Sequence, residues 1–365
     1  MKNPFYIKGY HGPQYFCDRV EETRRVVSAI ENGRDVTLMA PRRYGKTGLI
    51  HNVFAALDKQ VATIYLDIYS LRDLSEFTRQ FAEAVVGALD DPLERAGKGL
   101  LTFFKSCRPT AVPTENGISW SFKVEPNQAQ ATLREVFDYL RSHDRECVIA
   151  IDEFQQVREF PEHGVEALLR GYIQNLENIH FIFAGSRRHL MAEMFAMPRG
   201  AFYKSTQLLE LPTIPEATYF EFAARFFAEA GKDFKRELFH QLYLRFDGVT
   251  WYLQAILNRI WEMDEGLVDV KQIDMALEML VDESMYVYED LYRSQTTTAQ
   301  LILSAVARSG LVKEISGREF LAANNLPSAS TVRASASELV AADLLYRDVN
   351  GVYVYDKIFA AWLKR

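Results

Sequence analysis

The stretch Ala40-Pro41-Arg42-Arg43-Tyr44-Gly45-Lys46-Thr47 limits what this chain can fold into more than any other part of it. An apolar run, Val36-Thr37-Leu38-Met39, leads in, and a helix-like run from Gly48 to Leu57 leads out. Where a buried strand turns into a helix, backbone amides converge, and their free N–H groups and the helix dipole favour a polyphosphate. In such a loop Pro41, Arg42, Arg43, Tyr44, Gly45 and Gly48 lie along the phosphates, the Lys46 ammonium reaches the β- and γ-phosphates, and the Thr47 hydroxyl ligates Mg²⁺. Ala40 stands where Gly usually opens the pattern, and a small residue there still permits close backbone approach at negative φ.

A second stretch complements the first. Cys147-Val148-Ile149-Ala150-Ile151 is an apolar strand that ends in Asp152-Glu153, about a hundred residues behind the loop. At that strand end Asp152 is placed to hold Mg²⁺, commonly through water, and Glu153 to polarise an attacking water as general base. Glu directly after Asp is the pattern of NTPases in which a further strand lies between the two motif strands. Ile179-His180-Phe181-Ile182-Phe183-Ala184-Gly185 supplies that strand, with Ser186 at its tip as a polar sensor near the γ-phosphate. Arg187 and Arg188 follow, and either reach the phosphates or cap the next turn at the surface. Phe16, upstream of the loop, either stacks on a purine base or packs on the core.

The expected architecture is therefore α/β. A P-loop NTPase domain with a parallel sheet, of the additional-strand, catalytic-glutamate type, occupies 1–211. It carries an insertion at about 90–127, where Gly97, Pro109, Pro113 and Gly117 break the strand-helix alternation. Within the insertion Ile118 to Val124 alternates like an edge strand, and Trp120 and Phe122 face either a partner or the core. A helical lid follows over 212–290, with Gly248-Val249-Thr250-Trp251 opening a helix where a lid would meet nucleotide. The segment 291–365 reads as helix, helix, helix and a hairpin about Asn350-Gly351, which is a winged helix.

Charge and composition narrow the function classes. A formal net charge of -7 argues against a protein that coats nucleic acid wholesale. The winged-helix segment, however, carries nine basic against six acidic residues, and its second long helix, Ser328 to Ala342, exposes Ser328, Ser330, Thr331, Arg333 and Ser337. Small polar residues of this kind suit a major groove, so DNA is one candidate partner and protein contact or self-association the other. No apolar run approaches a membrane-spanning length and the N-terminus lacks a signal-peptide core, so a cytoplasmic location without membrane contact is expected. Cys17, Cys107 and Cys147 are widely spaced and support neither a disulfide framework nor a zinc site.

With these residues in view, nearly the whole chain resembles the archaeal-type AAA ATPase family, in the signal-transduction branch of P-loop NTPases. The resemblance rests on Tyr15-Phe16-Cys17-Asp18-Arg19, Pro41 to Thr47, Ile151-Asp152-Glu153-Phe154-Gln155, Ala184-Gly185-Ser186 and Gly248-Val249-Thr250-Trp251-Tyr252-Leu253. It implies ATP or ADP with Mg²⁺ as ligands, Arg19 and Phe16 among the nucleotide-binding residues, and a nucleotide switch closed by ADP and opened by ATP. Two positions depart from the pattern: Thr250 replaces the usual Pro, and Lys204 replaces an arginine. A lysine cannot make the bidentate phosphate contact of an arginine finger, so hydrolysis is expected to be slow or to need a partner. Two other functions stand beside the switch: a DNA-binding ATPase of the replication-origin or transposition type, and an ADP-holding scaffold without turnover.

Overall fold

The computed structural model describes residues 2–89, 100, 103–114, 117–263 and 268–365. The expected insertion therefore lies partly outside the described residues. The chain divides into two compact units, one of Lys8–Tyr219 and one formed by the residues up to Ile7 together with Phe220–Arg365.

In the first unit, strand burial reports position in the sheet. Strand β1 (Val36–Met39) and β2 (Ala62–Asp67) come from the first half; β2 alternates between buried and exposed residues. A hairpin, β3 (Arg108–Thr114) and β4 (Gly117–Lys123), stands apart as a two-stranded sheet. Strands β5 (Cys147–Asp152) and β6 (Ile179–Gly185) are buried at every residue, whereas β7 (Gln207–Glu210) is only partly covered. The sheet order is β2-β5-β6-β1-β7, parallel throughout, so the half-covered strands are the two edges and the continuous apolar runs are interior. The strand expected between the two motif strands is there: β6 separates β1 from β5.

Alternate residues of the central strands feed two cores. On one face Val148, Ala150, Ile182 and Ala184 pack with Val36 and Leu38 against helices α1 (Val20–Glu31) and α2 (Lys46–Ala56). On the other, Cys147, Ile149, Ile151, Phe181 and Phe183 meet α3 (Leu74–Leu89), α4 (Ala129–Arg141), α5 (Val165–Ile173) and α6 (Arg188–Phe195). The period of two along each strand makes the layer doubly wound. Trp120 and Phe122 belong to the second core, so the core alternative holds for both, and all three cysteines are buried and outside any disulfide.

The second unit is mainly helical from Phe220 onward. Helix α7 (Glu216–Glu229) enters it, followed by α8 (Arg236–Arg245), α9 (Thr250–Glu262), α10 (Val270–Glu283) and α11 (Met285–Arg293). Gly248, before α9, has φ of 66°, and a Cβ there would sit 2.5 Å from the Tyr243 ring, so a residue without a side chain is required. The winged helix then comprises α12 (Thr297–Ser309), α13 (Arg318–Ala323), α14 (Ala329–Ala341), β8 (Leu345–Asp348), β9 (Gly351–Val354) and α15 (Lys357–Trp362). Val349 and Asn350 form the hairpin tip, because Asp348 pairs directly with Gly351. Among the described residues no helix is long and apolar enough to cross a membrane.

Candidate nucleotide-binding and catalytic site

The phosphate loop leaves β1 and re-enters regular structure at Lys46, the first residue of α2. Gly45 caps that helix at φ 88°, and Arg43 also takes a positive φ, 73°, so the loop between strand and helix is tightly wound. Lys46 is buried, with Nζ donating to the Ala40 carbonyl at 3.3 Å and lying 3.8 Å from Glu153 Oε1. Burial pushes the Lys46 ammonium down from its ordinary value, against the pull of Glu153 and Asp152.

The parallel ladder sets the acids beside this loop. Asp152 closes β5 in register with Asp67 of β2, and its Oδ2 accepts from Thr47 Oγ1 at 2.8 Å and from Tyr65 Oη at 2.9 Å. Its Oδ1 accepts the Glu153 amide at 3.0 Å. A hydroxyl and a carboxylate brought together in this way are hard oxygen donors that fit Mg²⁺, which takes few protein ligands and fills the rest of its shell with phosphate oxygens and water. Among the described residues no group of three or more His, Cys, Asp or Glu is placed to hold a metal ion. Tyr65 has no place in the motif, and nothing in the sequence beyond its location on a strand signals its contact with Asp152.

Glu153 stands at the turn out of β5 with φ of 55°. The fully buried Phe154 ring pins that turn among Phe183, Phe195 and Phe202, at ring-centre distances of 4.6, 5.8 and 5.4 Å. Glu153 Oε2 accepts from Ser186 Oγ at 2.5 Å, Ser186 N at 3.3 Å and Gln155 Nε2 at 2.5 Å. Burial pushes the Glu153 carboxyl up, but Lys46, the Ser186 and Gln155 hydrogen bonds and Arg42 outweigh it and hold the group below its ordinary value. Ser186 thus sits at the tip of β6 as expected, with its hydroxyl directed to Glu153.

The remaining residues flank the loop. A Cβ on Gly48 would lie 3.0 Å from Phe16 Cε2, so the Phe16 edge rests on the first turn of α2, with Tyr10 edge-on to it at 5.7 Å. Arg19 is buried at φ 65° and braces the loop from behind: its guanidinium donates to the Tyr44 carbonyl at 3.3 Å, the Pro212 carbonyl at 2.7 Å and Glu22 at 2.8 Å. Arg42 lies over the Tyr69 ring at 5.0 Å. Of the arginines after Ser186, Arg187 pairs with Glu159 at 3.0 Å and Arg188 with Glu210, and neither side chain caps the helix that follows.

Residues 16–256 match the model of an ATPase domain predominantly from Archaea. The chain belongs to that family. Residues 286–365 match a probable winged helix domain, in agreement with the elements observed there. Among solved structures, the archaeal-type ATPase chain is similar to the Walker-type ATPase of Pyrococcus abyssi, with 19% identity, a TM-score of 0.68, and 99% of this chain and 100% of that one covered. It is also similar to the Aeropyrum pernix ORC1 protein in complex with DNA, with 14% identity, a TM-score of 0.57 and coverage of 99% and 96%. At such identities the likeness speaks for the fold. No curated protein matches the chain.

Proposed function

We propose that this archaeal-type ATPase binds ATP with Mg²⁺ at the Ala40 to Gly48 loop, hydrolyses it slowly, and acts as a molecular switch whose nucleotide state governs contact through the winged helix. The observation that carries the reading is the 2.8 Å hydrogen bond from Thr47 to Asp152, which joins two motifs 105 residues apart while Lys46 faces Glu153 at 3.8 Å. In this reading Lys46 and the loop amides hold the β- and γ-phosphates, and Phe16 and Arg19 support the nucleotide and the loop. Thr47 and Asp152 would hold Mg²⁺, which when bound neutralises charge on the phosphate oxygens. Glu153 takes the proton of the attacking water, and Ser186 orients Glu153. Slow or partner-stimulated turnover is supported by Lys204, which replaces a bidentate arginine.

The test begins with the nucleotide released from the purified protein by denaturation, alongside ATP turnover of wild type, Lys46→Ala and Glu153→Gln. Bound ADP, loss of binding in Lys46→Ala, and a fall in turnover of about 10² to 10⁴ in Glu153→Gln with binding retained are expected. No binding and no turnover at any Mg²⁺ concentration would end this reading.

A second reading, a DNA-binding ATPase, is favoured by one feature: α14 leaves Ser330, Thr331, Arg333 and Ser337 exposed. Against it, two of the basic residues counted in the winged helix are already engaged within their own unit. Arg365 pairs with Asp282 at 2.7 Å and with Glu278, and Lys357 pairs with Asp247. Binding to random duplex that weakens steeply with salt would favour the DNA reading, because phosphate contacts release counterions.

A further inference from the structure

We propose that Gln155 is a positioning residue that determines which oxygen of Glu153 receives the proton of the attacking water, an inference that rests on the ATPase reading above. Three donors converge on Oε2 of Glu153, from the Ser186 hydroxyl, the Ser186 amide and the Gln155 side-chain amide. They saturate that oxygen. Oε1 is the one turned toward Lys46, at 3.8 Å, and so toward the end of the loop where the terminal phosphate binds. Ser186 stands at the strand tip, whereas Gln155 reaches Glu153 from within the same turn, and together they fix the carboxylate plane.

The surroundings of Gln155 show what this placement costs. Its side chain is only 3% exposed, and its Oε1 is buried with no hydrogen-bond partner among the described residues. A buried unpaired carbonyl destabilises a fold, so an apolar side chain of the same shape would serve packing better. The end of the neighbouring strand is closely packed around the amide: a Cβ on Gly185 would lie 2.4 Å from Gln155 Oε1 and equally 2.4 Å from Met191 Sδ, so the glycine leaves room for both side chains. A polar group retained at the expense of stability, with its one satisfied donor aimed at the general base, fits a group kept for the reaction.

The decisive comparison is between wild type, Gln155→Met, Glu153→Gln and the double variant, all as the full chain. Methionine keeps the length and removes the donor. Thermal unfolding, the Kd of a fluorescent ATP analogue, and steady-state and single-turnover rates are measured for each. Gln155→Met is expected to melt at or above the wild-type temperature, to bind nucleotide within about twofold of wild type, and to lose at least about tenfold in kcat with KM little changed. In the Glu153→Gln background the same substitution should change the rate by less than about twofold, because Gln155 acts only through Glu153. An unchanged kcat, a loss carried by KM, or losses that multiply in the double variant would each overturn the assignment. Should Gln155→Met fold poorly, Gln155→Ala is judged on the same split between kcat and KM. A wild type that binds ATP without ever turning it over overturns the ATPase reading instead, a result distinct from an active wild type whose Gln155 variants keep their rate.

Discussion

Asp35, at the entrance to β1, shows how a single residue ties the sheet to pH. Its carboxylate accepts the Phe181 amide of β6 at 2.8 Å, and its own carbonyl accepts the Gln207 amide at the start of β7. Burial pushes the carboxyl up from 3.8 to about 6, against the Phe181 hydrogen bond and the charge of Arg170. A carboxyl raised in the folded state binds its proton more tightly there than in the unfolded chain. Its contribution to stability is therefore greatest below pH 3.8 and is lost as pH rises through about 6. Asp35→Asn keeps an oxygen for Phe181 and removes the buried charge. At pH 7 to 8 it should stabilise by roughly 1 to 2 kcal/mol, after allowance for partial solvent screening, and near pH 4 by much less. Unfolding midpoints recorded at both pH values decide the matter; equal shifts at the two would refute the burial argument.

At the scale of elements, helix ends in the second unit are secured by local chemistry. Helix α10 begins with a capping box: Asp269 accepts the Gln272 amide at 3.2 Å, and Gln272 Oε1 accepts the Asp269 amide at 2.9 Å. Two N–H groups that would otherwise lack partners are satisfied reciprocally. Asp269→Ala is expected to cost about 1 kcal/mol, seen as a lower denaturant midpoint at unchanged m-value. A change in m-value would point instead to a broader disruption of α10. The Ser328, Thr296 and Asp356 side chains cap α14, α12 and α15 one way only, each accepting a first-turn amide; α14 falls within one residue of the expected Ser328 to Ala342 at both ends, whereas the sequence pattern does not predict α15, which follows the hairpin.

At the scale of the whole molecule, the first residues of the chain pack with its last 146. Phe5 is sealed from solvent among Phe222, Phe226, Phe227 and Trp261, with ring centres 6.4, 5.8, 5.4 and 5.9 Å away. Asn3 and Asn258 lock the segment in place, Asn3 donating to the Asn258 carbonyl at 3.0 Å and Asn258 to the Phe5 carbonyl at 2.7 Å. Phe5→Ala should destabilise this unit by about 3 to 5 kcal/mol, the cost of a large cavity in an aromatic core. Limited proteolysis would report it as earlier cleavage within 220–365. Cleavage at the wild-type rate would mean that the segment contributes little to the unit.

The sequence by itself determined the phosphate loop, the Asp-Glu strand end, the interposed third strand and the winged helix. Each is written in adjacent residues, as a motif, an apolar run or a period of two or 3.6. Lys46, Thr47, Asp152 and Glu153 were legible for the same reason: their chemistry follows from their place at a strand or helix end. Tertiary structure alone decided which side chains attend them. Tyr65 reaches Asp152 only because β2 pairs with β5 in the register Asp67 to Asp152, and Ser186 joins Gln155, a neighbour in the same turn, on Glu153 only once β6 lies beside β5. Arg19 braces the loop, and Phe5 joins helices more than two hundred residues away, through contacts that no local pattern encodes. Hydrogen bonds and packing between distant residues depend on register and layer, and these exist only after the chain has folded.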